Sequence, residues 1–336
     1  MNDTSKPSEA FRTPGSAPDR TPDRSGERPR WLAVAPLDRD TAALWLRIGV
    51  GLVFVIGGWS KLSQLLGADG GAAMVSSYMG PGGYVNTFFT DYLFRGGIPS
   101  LFSPWTFLTA LSAFELASGL ALLAGFLVRP LALVYAFLLW TFVFSLPVVT
   151  TPGVVPVMDT YTSPALLVQI RDVCLSGLMF VLFNLGPGRW SVDRVPAAGH
   201  AAGQAAGQAV ADWEALGLLT RLSLAAPLLV GGFFVGGDSI QSFATFAPLL
   251  VLAGLVLVSG VGVRAAALLV CAVMLWYMLG KLSLDKSFIA NLNGIKREFA
   301  LLGAACLLVR FGGGSRFAWR LPFGNRDGAT PRPAMP

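Results

Sequence analysis

The run WTFLTALSAFELASGLALLAGFLVRP (105–130) has one acid near its midpoint, Glu115, and no other charge before Arg129. About 20 apolar residues cross the hydrocarbon of a bilayer, so this run reads as a spanning helix with a carboxylate deep inside it. A charge at that depth costs about 2.5–3.5 kcal/mol on insertion scales. The helix must therefore turn Glu115 toward protein and find it a partner. Ser112, Glu115 and Gly119 follow i, i+3, i+7 spacing, which puts the polar and small residues on one stripe, the expected inward face.

With 54% hydrophobic and 13% charged residues, the chain is predicted to be all-α and integral to a membrane rather than a soluble domain. Its pI of about 9.5 raises a nucleic-acid reading. The Arg and Lys residues are scattered at helix ends instead of forming a patch, so no nucleic-acid partner is expected and the positive-inside rule accounts for them. The single histidine, His200, sits in an Ala/Gly/Gln stretch, and Cys174, Cys271 and Cys306 lie in separate apolar runs. No metal site, haem ligation or disulfide framework is implied. Any redox chemistry would then use a quinone or a cofactor held by a partner.

A ruler of about 20 residues finds eight spans, near 42–60, 105–127, 130–149, 167–186, 216–235, 242–260, 264–281 and 295–311. The fourth is instructive, because the apolar run Val173–Leu185 is too short alone and draws Arg171 and Asp172 into the bilayer. The eighth does the same with Arg297 and Glu298. Adjacent charges on a helix point about 100° apart, so each needs a further partner. The bias of basic residues predicts both termini on the cytoplasmic side of a plasma or inner membrane, with Lys61, Arg171 and Asp172 toward the outer surface. Residues 1–40 read as a disordered cytoplasmic tail, 196–214 as a flexible linker and 321–336 as a C-terminal tail. The long connection 62–104, rich in Gly, Pro and aromatics, reads as a re-entrant or interfacial lid.

The chain also repeats itself. IGGWSKL (56–62) aligns with VGGFFVG (230–236), which sets Arg47 opposite Arg221. GLALLAGFLVRPLAL (119–133) aligns with GLVLVSGVGVRAAAL (254–268), and IRDVCLSGLMFVLFNLGPG (170–188) with KREFALLGAACLLVRFGGG (296–314). The expected organisation is two tandem four-helix bundles, 41–195 and 215–320. Lys61 becomes Val235 and Glu115 becomes Leu250 in the second, so chemistry is expected in the first. Arg47 and Arg221 are expected to snorkel from helix ends.

RIGVGLVFVIGGWSKL, FELASGLALLAGFLVRP and QIRDVCLSGLMFVLFNLGPGRWSVD together resemble the DoxX/DoxD family, which includes the small membrane subunit of thiosulfate:quinone oxidoreductase. The resemblance covers the first half well and the second as a degenerate repeat. It implies a four-helix membrane unit associated with redox enzymes, passing electrons from an outer-face sulfur donor to quinone. Glu115 is the candidate catalytic residue, as a proton acceptor or quinone hydrogen-bond partner. Its alternative role is a structural ion pair with Lys61 or Arg171. Lys61, Arg171 and Asp172 are the candidate substrate- or quinone-binding groups. The expected partners are the lipid bilayer, quinone, and a second redox subunit or soluble redox enzyme. The alternative function is a non-catalytic membrane scaffold that docks soluble redox or sulfur-transfer enzymes. A transporter ranks last, because no pair of clearly broken helices is evident.

Overall fold

The computed structural model describes residues 38–80, 85, 90–94, 102–145, 165–194, 212–233 and 247–319, all within one compact unit. Nearly all of the expected tail 1–40, most of the linker 196–214 and the tail 321–336 lie outside the described residues, as does much of the 62–104 connection. The described residues form nine α-helices: α1 Arg39–Leu65, α2 Ala72–Met79, α3 Pro104–Ala124, α4 Val128–Ser145, α5 Ala165–Leu185, α6 Trp213–Phe233, α7 Ala247–Ser259, α8 Val263–Lys281 and α9 Phe288–Phe311. No strand occurs among them. Eight are the long helices expected from the apolar runs. Among the described residues α1, α3, α8 and the Trp213–Val230 part of α6 are long and apolar enough to cross a membrane, and α4 and α7 are shorter apolar helices.

Local chemistry sets the helix ends. Asp38 caps α1 by accepting from the Asp40 amide at 3.1 Å. Ser103 caps α3 in the same way through Thr106, with Pro104 in the first turn, where its missing N–H has no cost. Gly125 ends α3 at φ +75°, a left-handed stop that suits glycine. Ser287 caps α9 by accepting from the Ala290 amide at 3.2 Å. This start lengthens α9 relative to the expected 295–311, adding a polar first stretch outside the apolar run.

The outward surface carries Leu120, Phe137, Leu252, Trp276 and Leu279 exposed. Such a continuous apolar surface is matched by lipid. The chain is an all-α integral membrane protein. Its main apolar core runs from Ala42 and Leu46 of α1 to Leu308 and Phe311 of α9, with a smaller cluster around Leu65, Val85 and Leu108.

One tight helix pair, α1 on α3, explains two of the glycines. A Cβ on Gly58 of α1 would sit 2.5 Å from the Leu116 amide nitrogen, and one on Gly119 of α3 would sit 2.7 Å from the Val55 nitrogen. Backbone meets backbone there, and only glycine permits it. Gly58→Val should push α1 off α3 and cost about 1–3 kcal/mol or more. Thermal melts in detergent would show this, and an unchanged midpoint would refute the close approach.

The four-helix sets are joined crosswise: α1 packs on α9, and α5 packs on α6. A Cβ on Gly303 of α9 would lie 3.1 Å from Trp45 O and 3.5 Å from Gly49 Cα, whereas a Cβ on Gly177 of α5 would lie 2.0 Å from Ser223 Oγ and 3.9 Å from Leu219 Cδ1. Gly177 aligns with Gly303, and the Arg47–Arg221 alignment sets Trp45 opposite Leu219 and Gly49 opposite Ser223. The same contact is made twice, once at each crossing.

Arg47 and Arg221 do not snorkel. They are 1% and 0% exposed. Arg47 donates to Pro187 O at 2.6 Å and Trp190 O at 2.9 Å, tying α1 to the turn after α5. Arg221 donates to Leu257 O and Val258 O, each at 3.3 Å, and to Arg316 O. The guanidinium is drawn inward because carbonyls at helix ends and turns have no helical partner and await a donor. Beside each arginine lies a positive-φ glycine, Gly125 or Gly260, where a Cβ would come within 2.2 Å or 2.1 Å of Nη1. Asp193 completes the first knot by accepting from the Leu127 and Val128 amides at the start of α4.

Candidate functional site

At the opposite end of α1 from Arg47, Gly57 and Lys61 lie one turn apart on one face. The inward stripe of α3 meets that face. Leu108, Ser112, Glu115, Ser118, Gly119 and Leu122 are the buried residues of α3, which is the stripe read from the sequence. The Ser112 hydroxyl is satisfied by Leu108 O at 2.6 Å, which leaves Glu115 as the ionisable group of the stripe. Glu115 forms a direct ion pair with Lys61, Nζ to Oε2. Lys61, one of the two partners considered for it, is thus brought into direct contact.

The pair opens on a cavity of about 100 Å3, lined by Gly57, Lys61, Tyr78, Glu115, Asp172, Lys296 and Arg297 among the polar or small residues, and by Phe54, Leu139 and Phe142 among the apolar ones. A water needs only about 10–15 Å3 of such space, so the cavity takes a small ligand. Gly57 makes room for it: a Cβ there would lie 3.3 Å from Lys296 Nζ and 3.7 Å from Glu115 Oε2. The described part of the 62–104 connection roofs the cavity. Met74, Val75, Tyr78 and Met79 of α2 pack on Leu65, Val85 and Leu108, while Trp105 Nε1 donates to Leu65 O at 3.2 Å.

The apolar wall is held by a small network. Tyr135 of α4 stacks on Phe54 at 3.8 Å between ring centroids and shares a hydrogen bond of 2.5 Å with Ser118. Ser176 of α5 donates to Ala136 O at 2.7 Å. These contacts fix α1, α3, α4 and α5 around the charges.

Of the sequence-derived candidates, Lys61, Glu115 and Asp172 converge on the cavity. Arg171 is buried next to Asp172 but does not line it; neighbours on a helix diverge in direction. Two lining cations were not among the candidates. Lys296 and Arg297 arrive on α9, from the half in which no chemistry was expected, because α9 packs on α1. Arg297 and Asp172 attract one another at the site. Lys296 Nζ donates to Asn293 Oδ1 at 2.7 Å, and among the described residues no carboxylate lies within ion-pair distance of it. The need of Arg297 for a partner beyond Glu298 was the sequence signal for this arrangement.

The second half also keeps a buried acid, at the position drawn into the bilayer by its last span rather than at Leu250. Glu298, 3% exposed, pairs directly with Lys281 of α8. It aligns with Asp172, so the second pair is built from another helix face than the first. Among the described residues no cluster of His, Cys, Asp and Glu has the makings of a metal site.

No curated protein and no solved structure matches this chain. The DoxX family model matches residues 42–146, which run from α1 to the end of α4 and include Lys61 and Glu115 but not Asp172, Lys296 or Arg297. That segment, about a third of the chain, is similar to the DoxX family.

Proposed function

We propose that this protein is the membrane subunit of a redox complex, resembling the small subunit of thiosulfate:quinone oxidoreductase and passing electrons from an outer-face sulfur donor to quinone. The observation that carries this reading is the Lys61–Glu115 ion pair, with Asp172, facing an aromatic-walled cavity. The similarity of residues 42–146 to the DoxX family supports it. The chain is further read as a tandem duplication with a degenerate second half, sitting in a plasma or inner membrane with both termini cytoplasmic.

The lining suits a quinone head. Phe54, Phe142 and Tyr78 offer flat apolar contact, and the Lys61 ammonium is a donor for a carbonyl oxygen. A quinone, when bound, supplies an acceptor for two electrons and two protons. Two thiosulfate anions joined through a new S–S bond release those two electrons. Glu115 and Asp172 are the groups able to carry protons to the carbonyl oxygens. Lys61 keeps Glu115 oriented toward the cavity rather than toward lipid, and the aromatic wall excludes water.

Purified protein in lipid nanodiscs should reduce a short-chain quinone when thiosulfate is added. Glu115→Gln should slow that turnover about 10²–10⁴-fold if it acts as an acid–base catalyst. Wild-type protein with no thiosulfate-dependent reduction would sink the proposal and favour the scaffold reading.

A further inference from the structure

We propose that Lys296 and Arg297 of the second half are the anion-binding groups of this cavity, and that its α1–α9 side takes a compact oxyanion next to the place read above for the quinone head. Among the described residues lining the cavity the charges do not balance: Lys61, Lys296 and Arg297 face Glu115 and Asp172. Lys61 is committed to Glu115 by the direct pair, and Arg297 is drawn to Asp172. Among the described residues Lys296 has only the neutral Asn293 side-chain oxygen within bonding distance. Glu115 and Asp172 lie near it across the cavity but not in ion-pair contact, and a cation inside a membrane protein without a directly paired carboxylate is a costly feature. An entering anion offsets that cost. Arg297 adds a planar set of donors that matches the oxygens of a tetrahedral anion.

The position of Lys296 supports this role. Its Nζ would come within 3.3 Å of a Cβ on Gly57, so it reaches past the α1–α9 contact into the space beside Glu115. Asn293, one turn earlier on α9, holds the ammonium there. The aligned residue in the first half is Ile170, so the cation is peculiar to the second half. The second half therefore completes the site rather than repeating it.

The inference deepens the proposed function by naming the residues that would hold its sulfur oxyanion, yet it is tested by binding and not by turnover. Thiosulfate and sulfate are titrated calorimetrically into the full-length protein in phosphatidylcholine nanodiscs. Wild type should bind both, Lys296→Gln should weaken binding at least tenfold, and Lys296→Arg should restore most of it. Binding of a short-chain quinone should be the same in all three. Equal anion affinity in wild type and Lys296→Gln overturns the proposal, even if turnover is present. Loss of anion binding in Lys296→Gln sustains it, even if turnover is absent. If Lys296→Gln does not accumulate, wild-type protein is acylated with an amine-reactive ester and mapped by mass spectrometry. Thiosulfate should then protect Lys296, and equal labelling with and without it overturns the proposal. Displacement of the anion by phosphatidylglycerol, with no protection by thiosulfate, would assign the site to lipid headgroups and overturn it as well.

Discussion

Replacing Glu115 with glutamine is expected to cost about 3–5 kcal/mol of stability, the usual penalty for removing one partner of a buried ion pair. Glu115 is 8% exposed and pairs directly with Lys61. Its neutralisation would leave three cations facing the single carboxylate of Asp172 across one cavity. Lys61→Met should be costly for the converse reason. The double variant should recover much of the loss, since both charges go together, and the coupling measured by the cycle should be large and favourable. Additive losses would mean that the two side chains do not sense one another and would contradict the ion pair. The cycle also separates stability from chemistry. A double variant that regains its melting temperature while staying inactive assigns the Lys61–Glu115 pair a role beyond holding α1 to α3.

Arg47→Met should be of similar size. It leaves the Pro187 and Trp190 carbonyls without their donor, and each buried acceptor so abandoned costs about 1–3 kcal/mol. Arg47→Lys should rescue little, because a single ammonium does not reproduce the planar fork that reaches both oxygens. Arg221→Met is the natural comparison, since Arg221 reaches Leu257, Val258 and Arg316 in the same manner. Limited proteolysis of each variant should show early cleavage near the turn after α5 or after α9, respectively. Wild-type protease resistance in Arg47→Met would refute the stapling role.

The helices were legible because a spanning segment writes its length and apolarity directly into the chain. The inward stripe of α3 was legible because Ser112, Glu115 and Gly119 share one helical face. Arg47 was misread: a charge near a helix end looks the same in sequence whether it reaches water or a ring of carbonyls. What decides between the two is the turn at 187–190, which returns to cover it. The larger omission was the crosswise pairing of the halves. Periodicity tells which face of α9 is polar, but not that α1 covers it. The alignment held a usable clue, because the second half has Lys296 where the first has Ile170, and a new charge in an apolar register demands a reason.

That crosswise pairing also has a consequence for how the protein is made. Lys61 leaves the ribosome long before Lys296, and at about 5–20 residues per second the interval is on the order of tens of seconds. Throughout it α1 sits in the membrane with the face meant for α9 uncovered, and the pocket beside Glu115 lacks one wall. The first helix must therefore wait for the last. An early stop between α3 and α9 would release a product that has its first apolar spans and its acid but no closed pocket, a natural target for membrane quality-control proteases.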